Sequence, residues 1–174
     1  MIGILSIQGG FKEHEAILDR LGLAWKEVRS LEDTKGLTGF IIPGGESTVM
    51  DQFMEKFGLK KWLIERAKDP GFVIFGTCAG LILLARYGLL HAEVLRNAYG
   101  RQLDSFEAAV QVENRTVKAH FIRAPKILSV GENTHILARH EGVPVLIQEG
   151  NVWGASFHPE LANDSTLHAV VFSC

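Results

Sequence analysis

The sequence is poor in cysteine, since Cys78 and Cys174 are the only two among its 174 residues. Two cysteines, one of them the last residue, do not form a disulfide framework, and their scarcity favours a reducing cytoplasm. The sequence also has no run of about 18 apolar residues, which excludes a candidate transmembrane helix. Its apolar start, MIGILSIQGG, is short and has no cationic residue, so it predicts a first strand and not a signal peptide.

An excess of charge of either sign is missing as well. The formal net charge is −2, which gives no electrostatic reason to expect nucleic acid or an anionic membrane as a partner. A hydrophobic content of 47% with 22% charged residues is typical of a globular protein, and no repeat or linker divides the chain. We therefore expect a single domain over residues 1–174.

Short apolar runs alternate with helical patterns in the first half of the chain. Strands are predicted over 2–7, 39–42 and 72–75, and a helix over 11–21 is predicted to end at Gly22. This alternation is typical of an α/β fold with a mostly parallel sheet and right-handed crossovers. In such sheets the functional site lies beyond the carboxyl ends of the strands.

The remaining elements are shorter. Ser47 is a candidate N-cap of a helix whose apolar residues, among them Met50 and Phe57, are expected in the core. Asn163 or Asp164 is a candidate cap of a last short helix. Another helix is predicted around Trp62, and further strands over 24–28, 110–112, 117–122, 143–148 and 152–157.

The segment FVIFGTCAGLILL, residues 72–84, places Cys78 between a strand-like run and a helix-like run. Gly76 and Gly80 flank the cysteine as they do in a nucleophile elbow, where a Cβ on either side would collide with neighbouring backbone. A sulfur at a helix N-terminus is favoured as thiolate by free N–H groups and the helix dipole. The alternative is that Cys78 is a small buried apolar residue, so catalysis requires a base elsewhere.

His158 is the best candidate for that base among the seven histidines. It follows the run 152–157 and precedes Pro159, and Glu160 stands where it can orient the ring, so a Cys–His–Glu triad is predicted at the sheet edge. The alternative is a histidine at a turn beside a solvated Glu160. His120 lies in a strand pattern, and surface or capping roles are expected for the other histidines, namely His14, His91, His135, His140 and His168.

These motifs resemble the class I, triad-type glutamine amidotransferases. Within that superfamily the chain is similar to the glutaminase subunit of the two-component pyridoxal 5′-phosphate synthase. PGGEST, RNAYGRQ and FIRAP are more specific to this branch than the triad motif. The matching segments run in order along nearly the whole chain: 7–9, 43–48, 75–81, 96–102, 105–107, 121–125 and 156–161.

The resemblance implies a three-layer, flavodoxin-like fold with helices on both faces of an open, mostly parallel sheet. It implies that Cys78 attacks the side-chain amide of L-glutamine, that His158 transfers the proton, and that Glu160 orients His158. Backbone N–H groups of Gly45 and Ala79 would hold the oxyanion. The contacts to glutamine would come from Gly45, Glu46, Ser47, Arg96, Ile122 and Arg123.

The resemblance further implies a partner. Ammonia would pass to a separate synthase subunit in a hetero-oligomeric complex in the cytoplasm, and the glutaminase would be poorly active until docked. The loop Gln8-Gly9-Gly10 lies where that contact is expected, and the chain itself would bind neither pyridoxal phosphate nor a metal. Compared with the family, the segment before Arg96 is short and Leu95 replaces an acidic residue, which leaves the role of Arg96 open.

Three alternatives remain at this point. The chain could serve a different synthase with the same chemistry, although PGGES and FIRAP speak against that. It could be a non-catalytic α/β binding or stress-response domain, in which case His158 and Glu160 would face away from Cys78. It could also be a free-standing cysteine hydrolase that acts on another amide.

Overall fold

The computed structural model describes residues 1–96 and 105–172. Most of the RNAYGRQ segment, from Asn97 to Gln102, and Cys174 lie outside these ranges. The strands are β1 Ile2–Leu5, β2 Trp25–Val28, β3 Gly39–Ile42, β4 Val73–Thr77, β5 Ala92–Leu95, β6 Phe106–Val112, β7 Arg115–Phe121, β8 Lys126–Val130, β9 His135–His140, β10 Val143–Glu149 and β11 Val152–Ala155. The helices are α1 Phe11–Arg20, α2 Ser47–Lys56, α3 Leu59–Arg66, α4 Ala79–Arg86 and α5 Thr166–Val171.

A seven-stranded sheet in the order β2-β1-β3-β4-β11-β10-β9 forms the centre of the molecule. The strands from β2 to β11 pair in parallel, and β10 and β9 continue the sheet antiparallel. The strands β1 and β3 are buried along their whole length, as expected for parallel strands covered on both faces. The predicted α/β fold with a mostly parallel sheet is confirmed.

Two apolar cores lie on opposite faces of this sheet. Successive side chains alternate between them: in β4, Ile74 packs in the core that contains α2, α3 and α4, whereas Phe75 packs in the core that contains α1, α5, β6 and β7. This alternation confirms the predicted arrangement of three layers.

Two details of the first half differ from the sequence analysis. Glu46 is the N-cap of α2, and Ser47 is the first helical residue, so the capping role predicted for Ser47 is wrong. Met50 and Met54 are buried, as expected for the apolar residues of this helix. Phe57, which was also expected in the core, is 38% exposed because it lies just beyond the last residue of α2.

The second half contains strands that the sequence analysis missed. Two small sheets, β5–β8 and β6–β7, stand beside the central sheet, and β6 and β7 overlap the strands predicted over 110–112 and 117–122. The missed strands are β5, β8 and β9, and β9 forms the edge of the central sheet. His135 and His140 are the two ends of β9; His135 is exposed, as the surface role expected for it requires, and His140 is half-buried. The strands β5, β8 and β9 are partly exposed and have few long apolar runs, which is why the apolar pattern did not indicate them.

No helix among residues 1–96 and 105–172 is long and apolar enough to cross a bilayer. The assignment of one domain to residues 1–174 stays a prediction.

Candidate active site

The turn between β4 and α4 places Cys78 at the carboxyl end of the sheet. Its backbone lies in a sparsely populated region, with φ 48° and ψ −100°, and its N–H donates to the Ala155 carbonyl of β11 at 2.8 Å. A Cβ on Gly80 would lie 2.1 Å from the Ile42 carbonyl oxygen, and one on Gly76 would lie 2.7 Å from the Gly80 carbonyl carbon. The strand, turn and helix therefore approach as closely as the sequence motif predicts.

His158 follows β11, which pairs in parallel with β4 and so ends at the same sheet edge. The predicted strand over 152–157 stops at Ala155. After it the chain leaves the sheet, and the His158 N–H donates to the His120 carbonyl of β7 at 2.8 Å. The hairpin β6–β7 thus fixes the position of the base.

Glu160 lies at the back of the His158 ring. Its Oε1 is 2.7 Å from His158 Nδ1, and its side chain is fully buried. This contact keeps a proton on Nδ1 and leaves Nε2 for Cys78, which lines the same cavity and is among the groups that raise the pKa of His158. The alternative of a non-catalytic domain required these side chains to face away from Cys78, whereas both residues line the same cavity as Cys78.

The charges of this pair support one another. Burial lowers the pKa of His158, but the Glu160 carboxylate and the Cys78 thiol outweigh it and raise that pKa to about 10. Burial likewise raises the pKa of Glu160, and His14 and His158 outweigh it and bring that pKa to about 2. Imidazolium and carboxylate are therefore the stable forms between these limits.

A cavity of about 510 Å³ opens in front of Cys78. It brings together every site residue named in the sequence analysis. Gly44 lines it as well, so close to the base that a Cβ there would lie 2.2 Å from His158 Cε1. The full lining is Gln8, Gly9, Gly10, Glu13, Gly44, Gly45, Glu46, Ser47, Cys78, Ala79, Ile82, Arg96, Ile122, Arg123, His158, Glu160 and Leu161.

The polar groups of the cavity are distributed around the thiol. Ala79 is the first residue of α4, so its N–H has no acceptor within the helix. The Ser47 hydroxyl is buried and has no hydrogen-bond partner among the described residues. Arg96 lies at the exposed rim, with Nη1 3.4 Å from Thr48 Oγ1, and Arg123 has a positive φ of 46°. Backbone strain of this kind is concentrated at functional sites.

The loop Gln8-Gly9-Gly10 touches the segment that carries Gly45. The Gly10 N–H donates to the Gly44 carbonyl at 3.1 Å, and Gln8 Nε2 donates to the Glu46 carbonyl at 3.0 Å. These bonds hold the peptide groups on both sides of Gly45. A displacement of the loop will therefore displace the wall of the cavity next to Cys78.

Sequence analysis missed two histidines behind the site. His14 and His168 are fully buried, so the surface or capping roles predicted for them are wrong. His14 shares one face of α1 with Ile17 and Leu18, at the spacing i, i+3 and i+4. That helical spacing was the signal that could have shown that His14 faces the core.

Comparisons with known proteins agree over nearly the full chain. The profile of the SNO glutamine amidotransferase family matches residues 4–172. Pyridoxal 5′-phosphate synthase subunit PdxT of Thermosipho africanus is 45% identical over 178 residues, which cover 96% of this chain and 94% of the relative. The subunit of the same name from Corynebacterium jeikeium is 46% identical over 182 residues, which cover 97% and 93%. A crystal structure of a glutamine amidotransferase superposes with a TM-score of 0.94 at 41% identity, over 99% of this chain and 97% of that one.

Proposed function

The chain belongs to the SNO glutamine amidotransferase family, and from this we propose that Cys78, His158 and Glu160 hydrolyse the side-chain amide of L-glutamine. The chain is the glutaminase subunit of a pyridoxal 5′-phosphate synthase, the enzyme of vitamin B6 synthesis. The observation that carries the assignment of residues is the position of His158, between the thiol of Cys78 and the buried carboxylate of Glu160.

The reaction proceeds in two halves. Cys78 Sγ attacks the amide carbon after its proton has passed to His158 Nε2, so that His158 is an imidazolium, and a tetrahedral intermediate forms. His158 then returns the proton to the leaving nitrogen, so that the C–N bond breaks, ammonia departs and a thioester remains. In the second half His158 removes a proton from water, the hydroxide attacks the thioester, and glutamate leaves as Cys78 is restored.

Two backbone donors stabilise the oxyanion in this proposal. The Ala79 N–H points out of the first turn of α4, where the helix dipole adds to its effect. The second donor is the N–H of Gly45, across the cavity from the elbow. One such donor is worth about 3 kcal/mol of transition-state stabilisation, so the orientation of the Gly45 peptide controls the rate.

Recognition of glutamine falls to the side chains around the thiol. Arg96 and Arg123 supply positive charge for the substrate carboxylate, and Glu46 supplies negative charge for its ammonium group. Ser47 offers a buried hydroxyl that has no hydrogen-bond partner among residues 1–96 and 105–172. Ile122 contributes apolar surface against the methylene groups of glutamine.

The experiment compares glutamine hydrolysis by the wild type, Cys78→Ala and Cys174→Ala, each with the synthase subunit. We expect Cys78→Ala to release no ammonia and Cys174→Ala to match the wild type, because Cys78 is the thiol assigned to the triad and lines the cavity with His158 and Glu160. Ammonia release that survives Cys78→Ala would rule out the mechanism. A wild type that hydrolyses another amide faster than glutamine would refute the substrate.

The synthase subunit receives the ammonia in a hetero-oligomeric complex in the cytoplasm. We infer that it docks against the loop Gln8-Gly9-Gly10 and acts through the bonds of that loop to Gly44 and Glu46. A docked partner that moves the loop would turn the Gly45 peptide toward the substrate. Glutaminase activity would then depend on the complex.

Gln8→Ala tests this route, with Gln148→Ala as the matched control. Gln148 Nε2 donates to the Gly150 carbonyl at 2.8 Å, a contact of the same kind in a turn that does not line the cavity. We expect Gln8→Ala to reduce the stimulation of glutamine hydrolysis by the synthase subunit and Gln148→Ala to leave it intact. Equal stimulation in both variants would exclude Gln8 as the link.

A further inference from the structure

A pair of fully buried histidines lies directly behind the triad. His14 comes from α1 and His168 from α5, and His14 Nδ1 is 2.7 Å from His168 Nε2. Both rings pack edge-on against Phe75 of β4, with centroid distances of 6.3 Å and 5.5 Å. A close contact of two imidazoles in apolar surroundings requires exactly one proton between the facing nitrogens.

The second nitrogen of His14 faces the triad. His14 Nε2 lies 3.6 Å from Glu160 Oε2 and 3.4 Å from the Thr77 hydroxyl. Glu160 uses Oε1 for His158, whereas Oε2 is buried and has no partner within hydrogen-bond distance among residues 1–96 and 105–172. Within the described part of the chain, His14 Nε2 is the ring nitrogen that lies in ion-pair range of that oxygen.

Above the ordinary pKa of histidine, both imidazoles are neutral. Burial lowers the pKa of His14, although the Glu160 carboxylate opposes it, and burial lowers the pKa of His168 still further. The other charged groups that act on the pair are His158 and Glu13 near His14, and Arg20 and Asp164 near His168. Each ring therefore carries one N–H, and only two arrangements place a single proton between the rings.

The arrangements differ in what they leave unpaired. If His14 carried its proton on Nδ1, its bare Nε2 would face the carboxylate lone pairs, and His168 would bury an Nδ1–H that has no acceptor among the described residues. If His168 donates from Nε2 to His14 Nδ1, then His14 directs an Nε2–H at Glu160, and only a lone pair on His168 Nδ1 stays unpaired. The first arrangement buries an unpaired donor on His168 and also sets the His14 lone pair against the carboxylate. The second leaves only an unpaired acceptor on His168, which costs less free energy, so the second arrangement is favoured.

We propose that His14 is a positioning residue, which directs its Nε2–H at Glu160 Oε2 while His168 fixes its tautomer. The effect on the reaction rests on the proposed function, since His14 acts through Glu160 on His158. With Oε1 on His158 and Oε2 facing His14, rotation of the carboxylate is restricted. Because His14 is neutral above the ordinary pKa of histidine, it adds a donor but no charge there, and the negative charge of Glu160 stays available to the imidazolium of His158.

The tautomers can be observed directly in the wild-type chain. Long-range ¹H–¹⁵N correlation spectra distinguish protonated from bare ring nitrogens, and the full chain with labelled histidine serves as the sample. We expect His14 and His168 to carry their protons on Nε2 and to have bare Nδ1 atoms. A protonated Nδ1 on His14 would overturn the proposal, and this test stands whether or not the chain hydrolyses glutamine.

Kinetics then test the effect on the triad. His14→Phe keeps a ring of similar shape without a donor, whereas His14→Gln can direct an amide N–H at the same oxygen. We expect His14→Phe to lower kcat about 10-fold, because the Glu160 carboxylate loses the N–H that faces its Oε2, with KM changed less than about two-fold. His14→Gln should regain most of the rate.

His91→Phe is the matched control, because His91 also contacts a carboxylate, that of Glu149, but lies away from the cavity. We expect its kcat to equal that of the wild type. An unchanged kcat in His14→Phe, or a His14→Gln variant no better than His14→Phe, would reject the positioning role. An inactive wild type would instead reject the proposed function, and if His14→Phe does not fold, His14→Gln and the tautomer spectra decide.

Discussion

The protonation of His158 depends chiefly on Glu160, the fully buried carboxylate at its Nδ1. A pKa raised to about 10 means that His158 holds its proton more tightly in the folded state than in the unfolded state. Its contribution to stability is therefore complete below the ordinary pKa of histidine and is lost as the pH rises through about 10. Glu160, with a pKa lowered to about 2, stabilises the fold above the ordinary pKa of glutamate and loses that contribution as the pH falls through about 2.

Glu160→Gln should therefore destabilise the protein most where both contributions are complete, which is the pH range between the ordinary pKa of glutamate and that of histidine. We expect a loss of about 3 kcal/mol in the free energy of unfolding at weakly acid pH, because the variant leaves His158 without its buried partner. The difference from the wild type should shrink toward strongly acid pH and toward about pH 10. Urea unfolding of both proteins across the pH range measures it, and a difference that does not vary with pH would contradict the assigned charges.

Ser47→Ala separates substrate binding from helix capping. The hydroxyl has no internal partner and α2 is capped at Glu46, so we expect an unchanged melting temperature. Loss of a hydrogen bond to glutamine should raise KM by about 10-fold with little change in kcat. The control is Ser156→Ala, which removes another buried hydroxyl without a partner that does not line the cavity. A lower melting temperature with an unchanged KM would restore the capping interpretation.

At the scale of elements, the elbow depends on how closely α4 lies against the end of β3. Gly80 is the point of contact, since a Cβ there would lie 2.1 Å from the backbone oxygen of Ile42, which cannot rotate away. A methyl group at this position must push α4 off the sheet, and Cys78 at the start of α4 must move with it.

Gly80→Ala should lower both stability and activity. We expect a loss of about 2 kcal/mol, as for overpacking of a core, and a large fall in kcat because the thiol is displaced from His158. Gly142→Ala is the control: its φ is +81° but nothing lies within 4 Å, so it should cost about 1 kcal/mol through backbone strain and leave kcat unchanged. Melting curves and steady-state glutamine hydrolysis provide both numbers. Full activity in Gly80→Ala would contradict this account of the elbow.

Elements with one clear periodicity could be predicted from the sequence. Buried parallel strands such as β3 are continuous apolar runs, and the motif around Cys78 determines a turn by local sterics alone. The strands β5, β8 and β9 escaped prediction because each depends on a partner strand distant in the chain for its burial. His14 and His168 escaped for the same reason, since their burial depends on the packing of α1 and α5 around Phe75.

At the scale of the whole molecule, the cavity lies between the parallel strands of the central sheet and the hairpin β6–β7. Cys78 belongs to the parallel strands, whereas His158 is fixed to the hairpin β6–β7 through His120. A ligand that fills the cavity contacts residues held by the parallel strands and residues held by the hairpin. It should therefore stabilise the molecule as a whole and not one segment of it.

Glutamine should raise the melting temperature of Cys78→Ala, which binds the substrate without consuming it. At a concentration about 100 times the Kd, the expected gain in stability is about 2.7 kcal/mol. Asparagine, one methylene shorter, is the control ligand and should give a smaller shift. Equal shifts with both amino acids would contradict a site built for glutamine.

The contact between His14 and His168 joins residues that are 154 positions apart in the chain. The tautomer of each ring depends on the other ring, so the effect of a substitution at position 14 depends on the residue at position 168, and the reverse also holds. A change at position 168 that is harmless beside one residue at position 14 would be harmful beside another. In evolutionary terms the two positions are epistatic, and the fitness of a substitution in α5 depends on the allele in α1.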